Sequence, residues 1–186
     1  MRQVVIASLV LGLCGLLPAT AKAQTRVPHT ESTALGLDVG AFVPSGNGVD
    51  QLDTAPMISG LYEYYVTPRV SLRASAGWTE PSVKGSPIDS VRQIPIGVDV
   101  NYNWEGGKWH PFVGAGLGAN FMQFRRRGES LGESETKPSV NVGGGVEYFI
   151  NRALTIKGEG RYHAMGDFGR IEPSGVAFTA GLKTYF

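Results

Sequence analysis

Gly175-Val-Ala-Phe-Thr-Ala-Gly-Leu-Lys-Thr-Tyr-Phe186 divides by parity into two unlike sets. Counting back in twos from Phe186 gives Thr184, Leu182, Ala180, Phe178 and Val176, an almost wholly apolar face. The alternate positions, Tyr185, Lys183, Gly181, Thr179, Ala177 and Gly175, are small or polar and hold the only charge of the stretch. A period of two marks a β-strand set between two different surroundings. The fold class depends on how often that alternation recurs upstream.

It recurs seven times, predicting strands at 33–43, 56–66, 70–78, 93–104, 112–122, 140–150 and 154–163, before the terminal strand at 175–186. Leu35, Leu37, Val39, Ala41 and Val43 alternate with Gly36, Asp38, Gly40 and Phe42 in the first of them. Pro95 removes a ladder donor and predicts a bulge or local irregularity. Long polar segments at 44–55, 80–89, 125–139 and 165–174 alternate with short turns at 67–69, 105–108 and 151–153. The segment at 125–139 is read as the longest and most charged loop. Eight strands joined in this way predict an all-β protein, an eight-stranded antiparallel up-and-down transmembrane β-barrel with long extracellular loops and short periplasmic turns.

Residues 1–23 are expected to be removed. Arg2 precedes an apolar run from Val4 to Leu17, and Ala21-Lys22-Ala23 offers a cleavage site, the plan of a secretory signal peptide. A lipoprotein reading would use Cys14, but Leu13 stands where a small residue is needed. Residues 24–32 form a short lead-in and 33–186 the barrel, with no second domain expected. Cleavage takes Cys14, the chain's one cysteine, so no disulfide is expected in the remainder. Removing Arg2 and Lys22 leaves fifteen basic against sixteen acidic residues, a balance that does not argue for nucleic acid.

Alternation alone would also suit a soluble carrier with an apolar cavity. Three features favour apolar side out. Glycines 36, 40, 77, 97, 114, 116, 118, 143 and 145 load the polar face, which suits a narrow lumen. Aromatics of the apolar face gather at strand ends: Tyr62, Tyr64, Trp104, Tyr148 and Phe186 near one rim, Trp78, Phe121 and Tyr162 near the other. Two such girdles flanking an aliphatic band describe a lipid-facing wall. The secretory signal agrees. Asp38, Glu63, Arg73, Asp99, Glu147, Lys157, Glu159, Arg161 and Lys183 then all point inward. A basic residue at the bilayer midplane costs about 2–4 kcal/mol. Turning these nine charges outward would exceed a domain's roughly 5–15 kcal/mol of stability.

An interior this narrow is filled by side chains. Five acids and four bases predict an ion-pair network across the lumen, either as a plain polar core or as the gate of a low-conductance pore. Arg125-Arg126-Arg127 would lie at the height of lipopolysaccharide phosphates, for which arginine forks are suited. A solvated charge run balanced by Glu129, Glu133 and Glu135 is the plainer account. Gly114-x-Gly-x-Gly118 and Gly143-Gly-Gly145 precede no helix, so they lack the context of a phosphate cradle. His29, His110 and His163 have no ligand spacing, and neither a metal nor a cofactor is expected. A lipid A-modifying hydrolase would need serine, histidine and acid on the lipid face. His163 takes the inward phase, with Ala164 and Met165 after it, so no catalytic residues are assigned.

Pro95-Ile-Gly-Val-Asp-Val-Asn-Tyr-Asn-Trp104 followed by Trp109-His-Pro-Phe-Val-Gly-Ala-Gly-Leu-Gly118 resembles the central hairpin of the small bacterial outer-membrane barrels of the OmpA/OmpX and opacity-protein type. Residues 142–150 and 154–162 resemble the hairpin that follows. A last strand ending on Phe186 is similar to the signal that the barrel-insertion machinery reads. The resemblance implies an outer-membrane monomer with both termini in the periplasm, acting through its surface loops or through membrane integrity. It also implies lipopolysaccharide, periplasmic chaperones and the insertion machinery as partners.

Overall fold

A computed structural model of the chain describes residues 28–104, 107–166 and 173–186. The expected signal peptide at 1–23 and the start of the lead-in lie outside these. The strands are β1 (Thr33–Pro44), β2 (Ala55–Tyr65), β3 (Val70–Thr79), β4 (Ser82–Val83), β5 (Ser86–Asn103), β6 (Trp109–Arg126), β7 (Glu129–Phe149), β8 (Leu154–Met165) and β9 (Gly175–Tyr185). Every pairing is antiparallel between neighbours, and two contacts close the ring. The first and last strands meet, from Ala34 opposite Tyr185 to Pro44 opposite Gly175. β3 meets β5, from Val70 opposite Tyr102 to Thr79 opposite Gln93. Eight strands thus form a closed barrel, and the two-residue β4 hangs on β5 outside it. Closure leaves no bare strand edge within the wall, which is the only way a sheet can cross lipid.

The two faces differ as the parity demands. Val39, Val98 and Leu117 are 58, 59 and 70% exposed on the outer wall, whereas Glu63 and Lys183 inside are fully covered. Where the wall is tightest, glycine is obligatory. A Cβ on Gly116 would run into the Asp99 carboxylate and the Val98 carbonyl, and one on Gly181 into Asp38 and the Leu37 carbonyl. The inward acids therefore lie flat against glycines of the neighbouring strand.

Two segments read as loops are largely strand. β6 and β7 run on to Arg126 and Glu129, and a two-residue turn joins them with Arg127 at φ 51° and Gly128 at φ 85°. Both central residues left-handed is the hairpin turn that matches strand twist. Between Met122 and Phe124 the register shifts, and the added residues on β7 include Gly132 at φ 72°. Likewise β5 begins at Ser86, inside the segment assigned to the second loop. At Pro95 the pairing to β6 continues unbroken opposite Asn120. The ladder to β3 instead skips Gly77 and Trp78 and resumes in the same register, so the proline interrupts one edge without a bulge.

Candidate functional site

The inward parity brings all nine predicted charges into one connected cluster. Each of its four cations bridges two carboxylates. Lys183 Nζ lies 2.7 Å from Glu63 and also binds Glu147. Arg73 spans Glu63 at 3.5 Å and Glu159 at 2.9 Å. Lys157 joins Asp38 and Glu159, both at 2.7 Å. Arg161 joins Glu159 at 2.6 Å and Asp99 at 3.2 Å. Among the described residues Glu159 is thus the hub, holding three cations, while Glu147 pairs with one. Neutral donors complete the shell: Ser71 and Asn101 donate to Glu63, and Tyr185 OH donates to Glu147. Sequence reading missed these three, although each shares the parity of an assigned inward charge.

Apolar plugs stand at both ends of this polar centre. At the short-turn rim Ala34, Tyr65, Phe149 and Tyr185 pack together, with Lys183 4.8 Å over the Tyr185 ring. At the other rim Phe42, Met57, Met165 and Ala177 form a second cluster. Above it lies a cap. A short 3-10 turn, Gly46–Asp50, delivers Leu52 onto Val91 and Met122, with Val83 of β4 and Phe124 at its margin. Between plug and network remains a polar cavity of about 60 Å³, lined by Asp99, Arg161 and His163 among others, room for a few waters.

The assigned girdle residues lie on the outer wall at the two rims. Tyr62, Tyr64, Trp104 and Phe186 are exposed and Tyr148 half-buried at one, and Trp78, Phe121 and Tyr162 are exposed at the other. Two members were missed. Tyr102 meets Trp104 edge-on at 5.0 Å, and Trp109 meets Tyr148 at 4.7 Å with the rings tilted by 55°. Trp109 shares the parity of Val113, and that was the available signal.

The three consecutive arginines have separate surroundings. Arg125 Nη1 lies 3.0 and 3.2 Å from the two Glu80 oxygens, and Arg126 binds Asp89 from 2.8 Å. The hydrogen bond to Asp89 raises the Arg126 pKa above its ordinary value. Arg127 occupies the turn. His163 pairs in register with Asn141 and Gly175 and faces the cavity. His110 Nε2 lies 3.0 Å from the Gly107 carbonyl, and His29 is bonded to its own loop. Among the described residues no three acids, histidines or cysteines are grouped as metal ligands.

The family described as outer membrane protein beta-barrel domain matches residues 7–186. Neisserial surface protein A is similar in structure, with a TM-score of 0.66 at 18% identity, over 83% of this chain and 97% of that one. The N-terminal β-barrel domain of Pseudomonas aeruginosa OprF gives 0.62 at 15%, over 84% and 98%. The attachment invasion locus protein Ail of Yersinia pestis gives 0.55 at 15%, over 84% and 99%. At such identities the likeness is one of fold. No curated protein matches the sequence.

Proposed function

The chain belongs to the outer membrane protein beta-barrel domain family, and from that footing we propose that it is a sealed membrane barrel working through its exterior. In this reading the termini and short turns face the periplasm, and the cap and the β6–β7 hairpin face outward. The barrel acts as a monomer by presenting that hairpin and by contacting lipopolysaccharide, after delivery by periplasmic chaperones and the insertion machinery. The observation that carries it is the lumen: nine charges in one ion-pair network, closed between two apolar plugs. A network with every cation bridging two acids is a core in ionic form, not a path. His163 turned to the lumen does not favour a reaction on lipid. The polar cavity favours a second reading, a low-conductance pore.

Expression with residues 1–23 intact should place the protein in the outer membrane with gel mobility that changes on heating. Purified barrel in planar bilayers should give no unitary current steps. Regular steps would support the pore, and soluble periplasmic protein of unchanged mobility would end both readings.

A further inference from the structure

Just above the aromatic rim of Trp78 and Phe121, the outer wall changes from apolar to polar. Arg92 lies on β5 two residues beyond Ile94 and opposite Gln123 of β6. Its neighbours Val91 and Gln93 are both fully buried, Val91 in the cap and Gln93 within reach of Asn120. Strand alternation therefore sends Arg92 to the outer face. One rung further along the same face, Arg125 stands opposite Ser90 and is bound to Glu80.

Arg92 has no such counterpart. Its side chain makes no ion pair or hydrogen bond with any described residue, and its Nε is buried without an acceptor. The Arg125 Nε is orphaned in the same way. Beside them, Gln123 accepts from Ser130 Oγ at 2.9 Å through its oxygen, which leaves its amide N–H groups to donate. Two guanidinium groups against one carboxylate leave a net positive charge. It sits where a wall stops facing hydrocarbon and begins to face headgroups.

We propose that Arg92, assisted by Gln123 and Arg125, binds a phosphate of lipopolysaccharide in the outer leaflet. This rests on the reading of the chain as an outer-membrane barrel. It moves the contact from the three consecutive arginines to a residue that the strand pattern hides. A guanidinium fork matches a phosphate in shape as well as in charge, and the girdle fixes the height at which the two meet. Arg126 is held by Asp89, and Arg127 sits at the turn, away from the rim.

The test uses the full folded barrel in phospholipid nanodiscs, titrated with bisphosphorylated lipid A, with dephosphorylated lipid A and with phosphatidylglycerol. Arg92→Gln should weaken bisphosphorylated lipid A binding about tenfold, as expected for one charge-assisted contact. Arg92→Lys should recover part of that loss, and Arg127→Gln should change binding less than about twofold. The loss should vanish with dephosphorylated lipid A. Undiminished binding by Arg92→Gln overturns the proposal, as does an equal loss with dephosphorylated lipid A. Equal affinity for phosphatidylglycerol also overturns it, in favour of unselective anionic-lipid contact. Should Arg92→Gln not fold, Gln123→Ala must show a smaller loss with the same phosphate dependence, or the proposal fails. Wild-type protein that never acquires heat-modifiable mobility would strike at the membrane reading itself, a different failure.

Discussion

Replacing Lys183 by methionine should destabilise the barrel far more than replacing Glu159 by glutamine, although Glu159 has more ionic partners. Lys183 is fully buried, holds both Glu63 and Glu147, and is the only cation among the described residues that forms an ion pair with Glu147. Its loss raises the luminal excess from one negative charge to two and leaves Glu147 with the Tyr185 hydroxyl alone. Removing one partner of a buried pair costs about 3–5 kcal/mol. Glu159→Gln instead evens the luminal count, and each cation it releases keeps another carboxylate: Arg73 has Glu63, Lys157 has Asp38 and Arg161 has Asp99. Weakened charge-assisted hydrogen bonds put its cost on the order of 2 kcal/mol. Urea unfolding of the barrel in lipid vesicles reads both, through the fluorescence of Trp78, Trp104 and Trp109 and the mobility of unheated samples. Adding Glu147→Gln to Lys183→Met should recover at least about 1 kcal/mol, since the orphaned charge goes with it. If Lys183→Met costs under about 1 kcal/mol, or Glu159→Gln costs as much, the network does not hold the lumen as described.

Gly116→Ala should fail to fold or lose roughly 1–3 kcal/mol by overpacking, because its Cβ meets Asp99 and the Val98 carbonyl. Gly158→Ala, with nothing within 4 Å of the new Cβ, should be neutral or mildly stabilising in the same urea titration. Arg127→Asn should stabilise the hairpin by about 0.5–1 kcal/mol, since φ 51° suits asparagine better; an unchanged midpoint would argue against the two-residue turn. Tyr185→Phe should cost about 1–2 kcal/mol by removing the donor to Glu147 while keeping the ring under Lys183. A Tyr185→Phe loss as large as that of Lys183→Met would mean that the hydroxyl, not the ammonium, is what Glu147 needs.

Parity made the wall legible because lipid and lumen impose opposite demands on alternate residues. Beyond the rim both faces of a strand meet water, and the contrast disappears. Residues 123–139 carry charges on both parities, Arg125 and Arg126 adjacent and Glu135 near Lys137, so a twisted hairpin reads as a loop. The partners inside the lumen were illegible for a different reason. Lys183 and Glu63 are 120 residues apart and meet only after the ring closes with a particular stagger. Composition can say that five acids and four bases share a narrow space, but not that Glu159 becomes the hub. Arg92 was missed because the predicted strand began at 93, one residue too late to assign it a face.

The bridging pattern bears directly on whether such a lumen can conduct. Were each cation paired with one acid, a passing ion could exchange partners one contact at a time. Here the bonds run from Glu147 through Lys183, Glu63 and Arg73 to Glu159, then branch to Asp38 and Asp99. Swinging any one cation aside takes a contact from two carboxylates at once, in a space that admits only a few waters to compensate. Uncovering buried charge costs several kcal/mol per ion, so the open arrangement is rare unless something outside stabilises it. The aromatic plug at the short-turn rim must move as well, because Tyr185 binds Glu147 and packs on Phe149. On the proposed reading, a barrel locked from within in this manner works through its outside, where Arg92 and the β6–β7 hairpin are.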